Sequence, residues 1–481
     1  MLLIEYSAQG WESWEVDRRP VIREGTPVLI DDDLRLEEDG KTRPSVLVNR
    51  WLRQLPVNGA PAKNTWWSYA RVLRSWLTFL RRRNVDLLDT RNRLQDALSA
   101  YAGLRLHGDL EDRLDVSSWN LHVTVLSTFY NWAIREGHTP DLPFTYSSTR
   151  HWNRGHPAEV QRNNATLLKP KPHSTIKYLD RDFAALFVNA LAGLTPEGVP
   201  DGTFRGRELG RNASLGALAI ASGLRRQELT YLLTYEVPPV PERNRGLPIP
   251  FPLSSAITKG RKRRTTWVDY ETLSAVHRYI EFERCAAITG SAWTPPTRLG
   301  SPLHVERPDW EGAHINGTRV SWRLMTPTER LRLVSPEGAT CLVAAQSTGR
   351  PFIDWPTVFR RTSERIRNRF DPRFPDVSPH RLRHTFAMHT LERLVSDHYR
   401  RAAEVVKSTD TDAALALYLT KSDPLMVLRD LLGHSSVTTT QIYLRRLDVT
   451  RIYKEAYEAA GLCSGLSSAA EEDATAEFTE E

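Results

Sequence analysis

Two stretches decide the reading of this chain: SPHRLRHTF, residues 378–386, and LLGHSSVTTTQIYL, residues 431–444. In the first, His380 and Arg383 stand i,i+3 and share one helical face. In the second, His434 precedes Tyr443 by nine residues. Further upstream, SGLRRQEL places Arg225 just after Gly223 and Leu224, at a helix-to-helix turn that can aim a guanidinium into a cleft. Glu228, three residues on, can orient that guanidinium through a charge-assisted bond. ITKGRKRR puts Lys259 in a run where five of six residues are basic. Two arginines can grip a phosphate by bidentate hydrogen bonds. A lysine and two histidines can move protons, and a tyrosine can attack phosphorus and hold it covalently.

Each fragment alone has a plainer reading. Arg225 and Glu228 fit an ordinary surface pair, the basic run fits a nonspecific DNA contact or a solvated hairpin, and a lone tyrosine is most often half-buried core. HRLRH has the outline of the HExxH zinc helix, but Arg381 stands where that motif needs its glutamate. Two arginines beside the histidines would also repel Zn²⁺.

In order and spacing the fragments resemble the tyrosine recombinases, also called phage-type integrases. GLRRQEL is similar to their first arginine box (G-L-R-x-x-E-L), HRLRH to their second (H-x-L-R-H) and LGHSSVTTTQIYL to their third (L-G-H-S-x…T-x-x-Y). The resemblance runs over roughly residues 45–460. It implies a mainly α fold with a small β-sheet: a helical core-binding (SAM-like) domain plus a mixed α/β catalytic domain. It implies that Arg225 and Arg383 clamp the scissile phosphate and that His380 is the general base or proton shuttle. His434 would donate a hydrogen bond to the phosphate, and Tyr443 would be the nucleophile. The family's general-acid lysine lies in a G-K-G-x-K-x-R hairpin. Here the run is T-K-G-R-K-R-R, so Lys259 aligns, Thr258 replaces a glycine, and Lys262 is the second candidate. Tyr453 and Tyr457 lack the third box's context.

The resemblance implies a site-specific recombinase that cuts and rejoins DNA through a 3′-phosphotyrosyl link and serves a bacterial mobile element or prophage. Bond energy stays in that link, so no metal, ATP or other cofactor is expected. The implied partners are double-stranded DNA, three further copies in a homotetramer, and an accessory DNA-bending or directionality factor, all in the bacterial cytoplasm at the nucleoid. Two alternatives share features of this reading: a type IB topoisomerase-like relaxing enzyme, and a catalytically silent DNA-binding protein.

Composition agrees with such a class. At 481 residues the chain is too long for one ordinary core. It is 40% hydrophobic and 26% charged, ordinary for a globular protein. No apolar run approaches the ~20 residues that span a bilayer, so no membrane partner is expected. The N-terminus lacks a basic start followed by an apolar core, so no secretory signal is expected. Cys285, Cys341 and Cys463 are far apart without metal-ligand spacing, which fits a reducing compartment. Net charge is +7, but residues 466–481 carry six acids and no base, leaving +13 on the other 465 residues. A basic body invites a polyanion.

The pattern along the chain divides it. Residues 1–42 form an N-terminal extension of unknown role, mixing short β-like stretches such as TPVLI with acidic turns. Residues 43–146 read as the helical domain. Trp66, Tyr69, Leu73, Trp76 and Leu80 follow one face from a cap at Asn64, and Val125, Phe129 and Trp132 repeat the signal before Gly137. Arg81, Arg82 and Arg83 are candidate phosphate contacts or a solvated helix end. Residues 147–175, polar and prolyl, read as a linker. Residues 176–462 read as the catalytic domain, with a hairpin around TKGRKRR and two surface insertions, 286–345 and 391–425. Residues 463–481 read as an acidic disordered tail. After Tyr443 an apolar stripe of Ile452, Ala456 and Ala459 needs a docking groove, on a neighbouring subunit by the resemblance or on its own domain.

Overall fold

The computed structural model describes residues 1–7, 22–38, 40–60, 62–153, 156–168, 177–243, 246–408, 424–434 and 440–447, with Ile452 and Glu455. The KPKPH segment, the acidic tail and most of the segment after Tyr443, with Tyr453 and Tyr457, lie outside them. The chain divides into two compact units, residues 1–173 and 174–481.

The first unit is built on four helices, α1 (Pro44–Gln54), α2 (Lys63–Arg82), α3 (Arg91–His107) and α4 (Val116–Arg135). Their apolar stripes make one core. Trp66, Leu73, Trp76 and Leu80 of α2 meet Val125, Phe129 and Trp132 of α4, and Tyr69 stacks on Trp51 at 5.8 Å. The expected cap, Asn64, lies inside α2, whose N-cap is Ala62. The cap of α4 is Asp115, which accepts from the Ser118 N–H.

Residues 1–42 have a structural part. Strand β1 (Leu2–Glu5) pairs antiparallel with β2 (Pro27–Ile30), and β3 (Glu37–Glu38) with β4 (Lys41–Thr42). Leu29 enters the helical core, and the buried Asp31 accepts from Ser45 Oγ at 2.6 Å. Asp31 also pairs with Arg43 and Arg81. Of the three arginines ending α2, Arg81 is therefore committed to an internal ion pair, and Arg83 lies 5.1 Å from the Phe79 ring. Part of the stretch expected as linker is instead an antiparallel ladder, β5 (Tyr146–Asn153) with β6 (His156–Asn163).

In the second unit, α5 (Arg181–Leu191), α6 (Leu209–Ser222), α8 (Tyr270–Arg278) and α11 (Trp355–Arg369) enclose the larger core. The short α7 (Arg226–Thr230) follows α6. The expected hairpin is present: β7 (Ile249–Leu253) and β8 (Arg264–Val268), antiparallel, with Leu253 opposite Arg264. Residues 286–345, expected as a surface insertion, hold α9 (Cys285–Ile288) at their start and a four-stranded sheet. Strands β9 (Leu303–Glu306), β10 (Gly312–Ile315), β11 (Thr318–Ser321) and β12 (Leu333–Val334) run in the order β11-β10-β9-β12. The segment also buries its own core of Val305, Trp322, Met325, Leu333 and Leu342 against Leu233. Within it, α10 (Pro327–Arg330) ends on a fully buried arginine, Arg330, which grips both carboxylate oxygens of Glu236. Residues 391–408 of the second expected insertion are helix as well, because α12 (Pro379–Ser408) runs on from the second box through a stretch with no glycine or proline after its first residue. After it comes α13 (Pro424–Leu432).

About half of the described residues are helical and their sheets are small, as expected for the mainly α fold. Among the described residues no helix is long and apolar enough to cross a membrane.

Candidate active site

The site is assembled where three helix ends meet. Helix α6 stops at Gly223, whose φ of 62° is a left-handed conformation open to glycine at little cost. That turn delivers Arg225 to the N-terminus of α7. Glu228, fully buried, accepts from the Arg225 backbone N–H at 2.7 Å and from its guanidinium at 2.9 Å. It also accepts from Arg264, the first residue of β8, at 2.6 Å. Burial pushes the Glu228 carboxyl up, but Arg264 and then Arg225 outweigh it and hold its pKa below the ordinary value.

The third helix end is the C-terminus of α13. Its last carbonyls have no partner within the helix and carry partial negative charge. Leu431 O accepts from Arg264 at 2.6 Å, and Leu432 O accepts from Arg225 at 3.3 Å and from Arg383. Arg383, buried on α12, also donates to Gly223 O at 2.6 Å. Burial, then Arg225 and Arg264, push the Arg383 pKa down to about 9, so it stays charged at neutral pH. Three guanidiniums thus face one carboxylate, an excess of positive charge suited to an anion.

His434 follows Gly433 at the end of α13, with Nδ1 3.0 Å from Thr440 Oγ1. Burial, then Arg383, Arg225 and Arg264, push its pKa down to about 4. Its ring is therefore neutral near pH 7 and can donate from Nε2. His380 is exposed at the start of α12. Its pKa is lowered by the burial it does have, then by Arg383 and Arg225. Its ring centroid lies 4.3 Å from that of His384, one turn further on.

Tyr443 lies only 2% exposed in an apolar cluster with Phe386, Met388, Leu391, Leu428 and Leu432. Ile452 is buried in the same cluster, so that residue of the apolar stripe packs on its own domain. The Tyr443 hydroxyl is 2.9 Å from His384 Nδ1. Burial raises the phenol pKa to about 12, against a lowering by Arg383.

The structure therefore brings Arg225, Arg383, His380, His434 and Tyr443 together. It does not bring Lys259 in. Lys259 and Lys262 stand exposed on the turn between β7 and β8, and neither side chain bonds to the arginine cluster. Thr258, in place of the family's glycine, is buried and ties that turn by donating to Ser255 O and Lys262 O at 3.0 and 2.8 Å. Sequence reasoning missed Arg264, which it counted only as part of a basic run. The signal was alternation: in RTTWV, positions 264, 266 and 268 are the buried ones. His384, the last residue of HRLRH, bonds to the tyrosine.

Residues 48–137 match the family model for the phage integrase N-terminal SAM-like domain. Over those residues the chain is similar to the phage integrases. The match lies wholly outside the three boxes, so it bears out the resemblance on independent residues. Among curated proteins none matches. Similar solved structures include XerH site-specific recombinase bound to difH substrate in a pre-cleavage complex, at 15% identity and a TM-score of 0.42. That similarity covers 87% of this chain and 85% of the other. XerH bound to a palindromic difH substrate, a post-cleavage complex, gives 15%, 0.44, and coverages of 82% and 80%. XerA recombinase gives 16%, 0.32, and coverages of 86% and 98%.

Proposed function

We propose that this chain is a site-specific DNA recombinase that cleaves and rejoins DNA through a 3′-phosphotyrosyl intermediate, in the service of a bacterial mobile element. The observation that carries this reading is the convergence at Leu432. Its carbonyl is bonded by Arg225, 207 positions away, and by Arg383 on a third segment, and Tyr443 packs in the same cluster. No single structural need calls for three arginines, three histidines and a tyrosine at one point.

In this mechanism Arg225 and Arg383 hold the non-bridging oxygens of the scissile phosphate and stabilise the charge that develops in the transition state. His434, neutral and oriented by Thr440, donates a further hydrogen bond. Tyr443 attacks phosphorus, and the 5′-oxygen leaves with a proton from Lys259 or Lys262, once the hairpin turn has closed on DNA. The family resemblance would make His380 the base or proton shuttle. In the DNA-free chain Tyr443 is buried and its phenol is protonated, so cleavage requires its release toward the arginines. That requirement links catalysis to assembly on DNA, as a homotetramer on two sites.

The test is incubation with a nicked suicide substrate carrying the cognate site, in EDTA, followed by denaturing electrophoresis. The expected result is a covalent protein–DNA adduct that disappears in Tyr443→Phe. No adduct with the unaltered protein, or one surviving that substitution, overturns the reading.

A further inference from the structure

We propose that His384 orients the Tyr443 hydroxyl and takes its proton as the tyrosine attacks, a role that the family resemblance gives to His380. The inference rests on the proposed function and assigns a further residue to the same reaction.

The geometry points to His384 in three ways. Its Nδ1 lies 2.9 Å from the Tyr443 hydroxyl oxygen, within direct proton-transfer reach. A buried hydroxyl needs a partner, and His384 is the one polar partner of Tyr443 among the described residues. His380, by contrast, is exposed and approaches the tyrosine only through the His384 ring, at 4.3 Å between centroids.

The electrostatics agree. Burial, then His380, Arg383 and His434, push the His384 pKa down to about 4, so the ring is neutral at physiological pH. With its proton on Nε2, Nδ1 is a free acceptor for the phenol O–H. The groups facing it are His380 and Arg383 on its own helix and His434 and Tyr443 from the segment after α13. In the resting chain this field keeps His384 a weak base, so Tyr443 holds its proton. A phosphodiester seated on Arg225 and Arg383 brings negative charge beside the same field. That offsets Arg383 and raises the basicity of His384. The acceptor is thus strengthened by the arrival of its substrate.

The step balances. The O–H pair of Tyr443 stays on oxygen and forms the O–P bond. The proton passes to His384 Nδ1, giving an imidazolium. The bond from phosphorus to the 5′-oxygen breaks with its electron pair, and the general acid protonates that oxygen.

The experiment uses the full chain and two suicide substrates, one ordinary and one with sulfur at the 5′-bridging position. Sulfur leaves as a thiolate without help from an acid, so its rate reports the nucleophile's side of the reaction. Asparagine places an oxygen near the Nδ1 position and keeps an acceptor for the hydroxyl, but it is no base. His384→Asn should slow adduct formation about 100-fold or more on both substrates while site binding is kept. His380→Asn should slow the sulfur substrate less. If His384→Asn melts below the assay temperature, His384→Gln is the second variant. A rate within about threefold of the unaltered protein on the sulfur substrate would mean that His384 only holds the hydroxyl, and would overturn the inference. Absence of adduct in the unaltered protein, or its survival in Tyr443→Phe, would strike the proposed function instead.

Discussion

Arg225 and Arg383 share one acceptor, the carbonyl oxygen of Leu432. The end of α13 therefore holds both guanidiniums in register before any DNA arrives. It does so with partial charge, which a phosphate's full charge can outcompete.

That arrangement separates catalysis from binding. Arg225→Ala and Arg383→Ala are each expected to abolish adduct formation while leaving site affinity within about tenfold, because affinity is spread over many phosphate contacts. Gel-shift titration beside the suicide assay checks it. A folded variant that loses binding altogether would make that arginine an anchor rather than a stabiliser of the transition state.

Glu228 holds two arginines from within the core. Glu228→Ala should destabilise the second unit by about 3–5 kcal/mol, since it leaves buried cations unpaired, and Glu228→Gln by less. The acid dependence follows from the lowered pKa of this carboxyl. The stability it contributes is complete above the ordinary glutamate value of about 4.3 and is lost as pH falls through the lower folded value. Urea melts at neutral and acid pH should show the deficit of Glu228→Gln shrinking as pH falls below about 4.

Gly223 supplies both a left-handed turn and the carbonyl that grips Arg383. A Cβ there would lie 2.3 Å from Phe386 Cδ1, in the cluster that buries Tyr443. Gly223→Ala should therefore cost about 1–2 kcal/mol in backbone strain alone, and it should cut cleavage more than DNA binding. Equal losses in both assays would mean general unfolding.

Arg330 joins the four-stranded sheet to Glu236 and Tyr231 in the rest of the second unit. Its Nε and both Nη atoms are satisfied, by Glu236 and by the carbonyls of Met325, Tyr231 and Trp322. Arg330→Ala should lower stability by about 3–5 kcal/mol, visible as an earlier thermal transition, because Glu236 is left buried without its cation. A melting curve like that of the unaltered protein would show that the sheet docks without this pair.

Much of the site was legible before folding. Arg225, His380, Arg383, His434 and Tyr443 announce themselves because each lies in a short box whose spacing is set by a helix or its cap. The helical unit was legible too, since Trp66, Leu73, Trp76 and Leu80 keep a 3.6-residue period that sorting between water and core imposes directly on sequence. Residues 286–345 were not: rich in Pro, Gly and Thr, they carry a weak pattern, and their core closes against Leu233, far away in the chain.

What the sequence determined by itself was the set of candidate reactive groups and the local elements that bear them, because both depend on neighbours within a few residues. Only the tertiary structure decided their relations. Arg264 belongs with Glu228, Arg81 belongs to Asp31, Lys259 stands apart, and Tyr443 rests buried on His384. Each relation is a choice of partner between segments distant in the chain. That choice follows from burial, where an unpaired polar group is too costly to leave, and no local pattern records it.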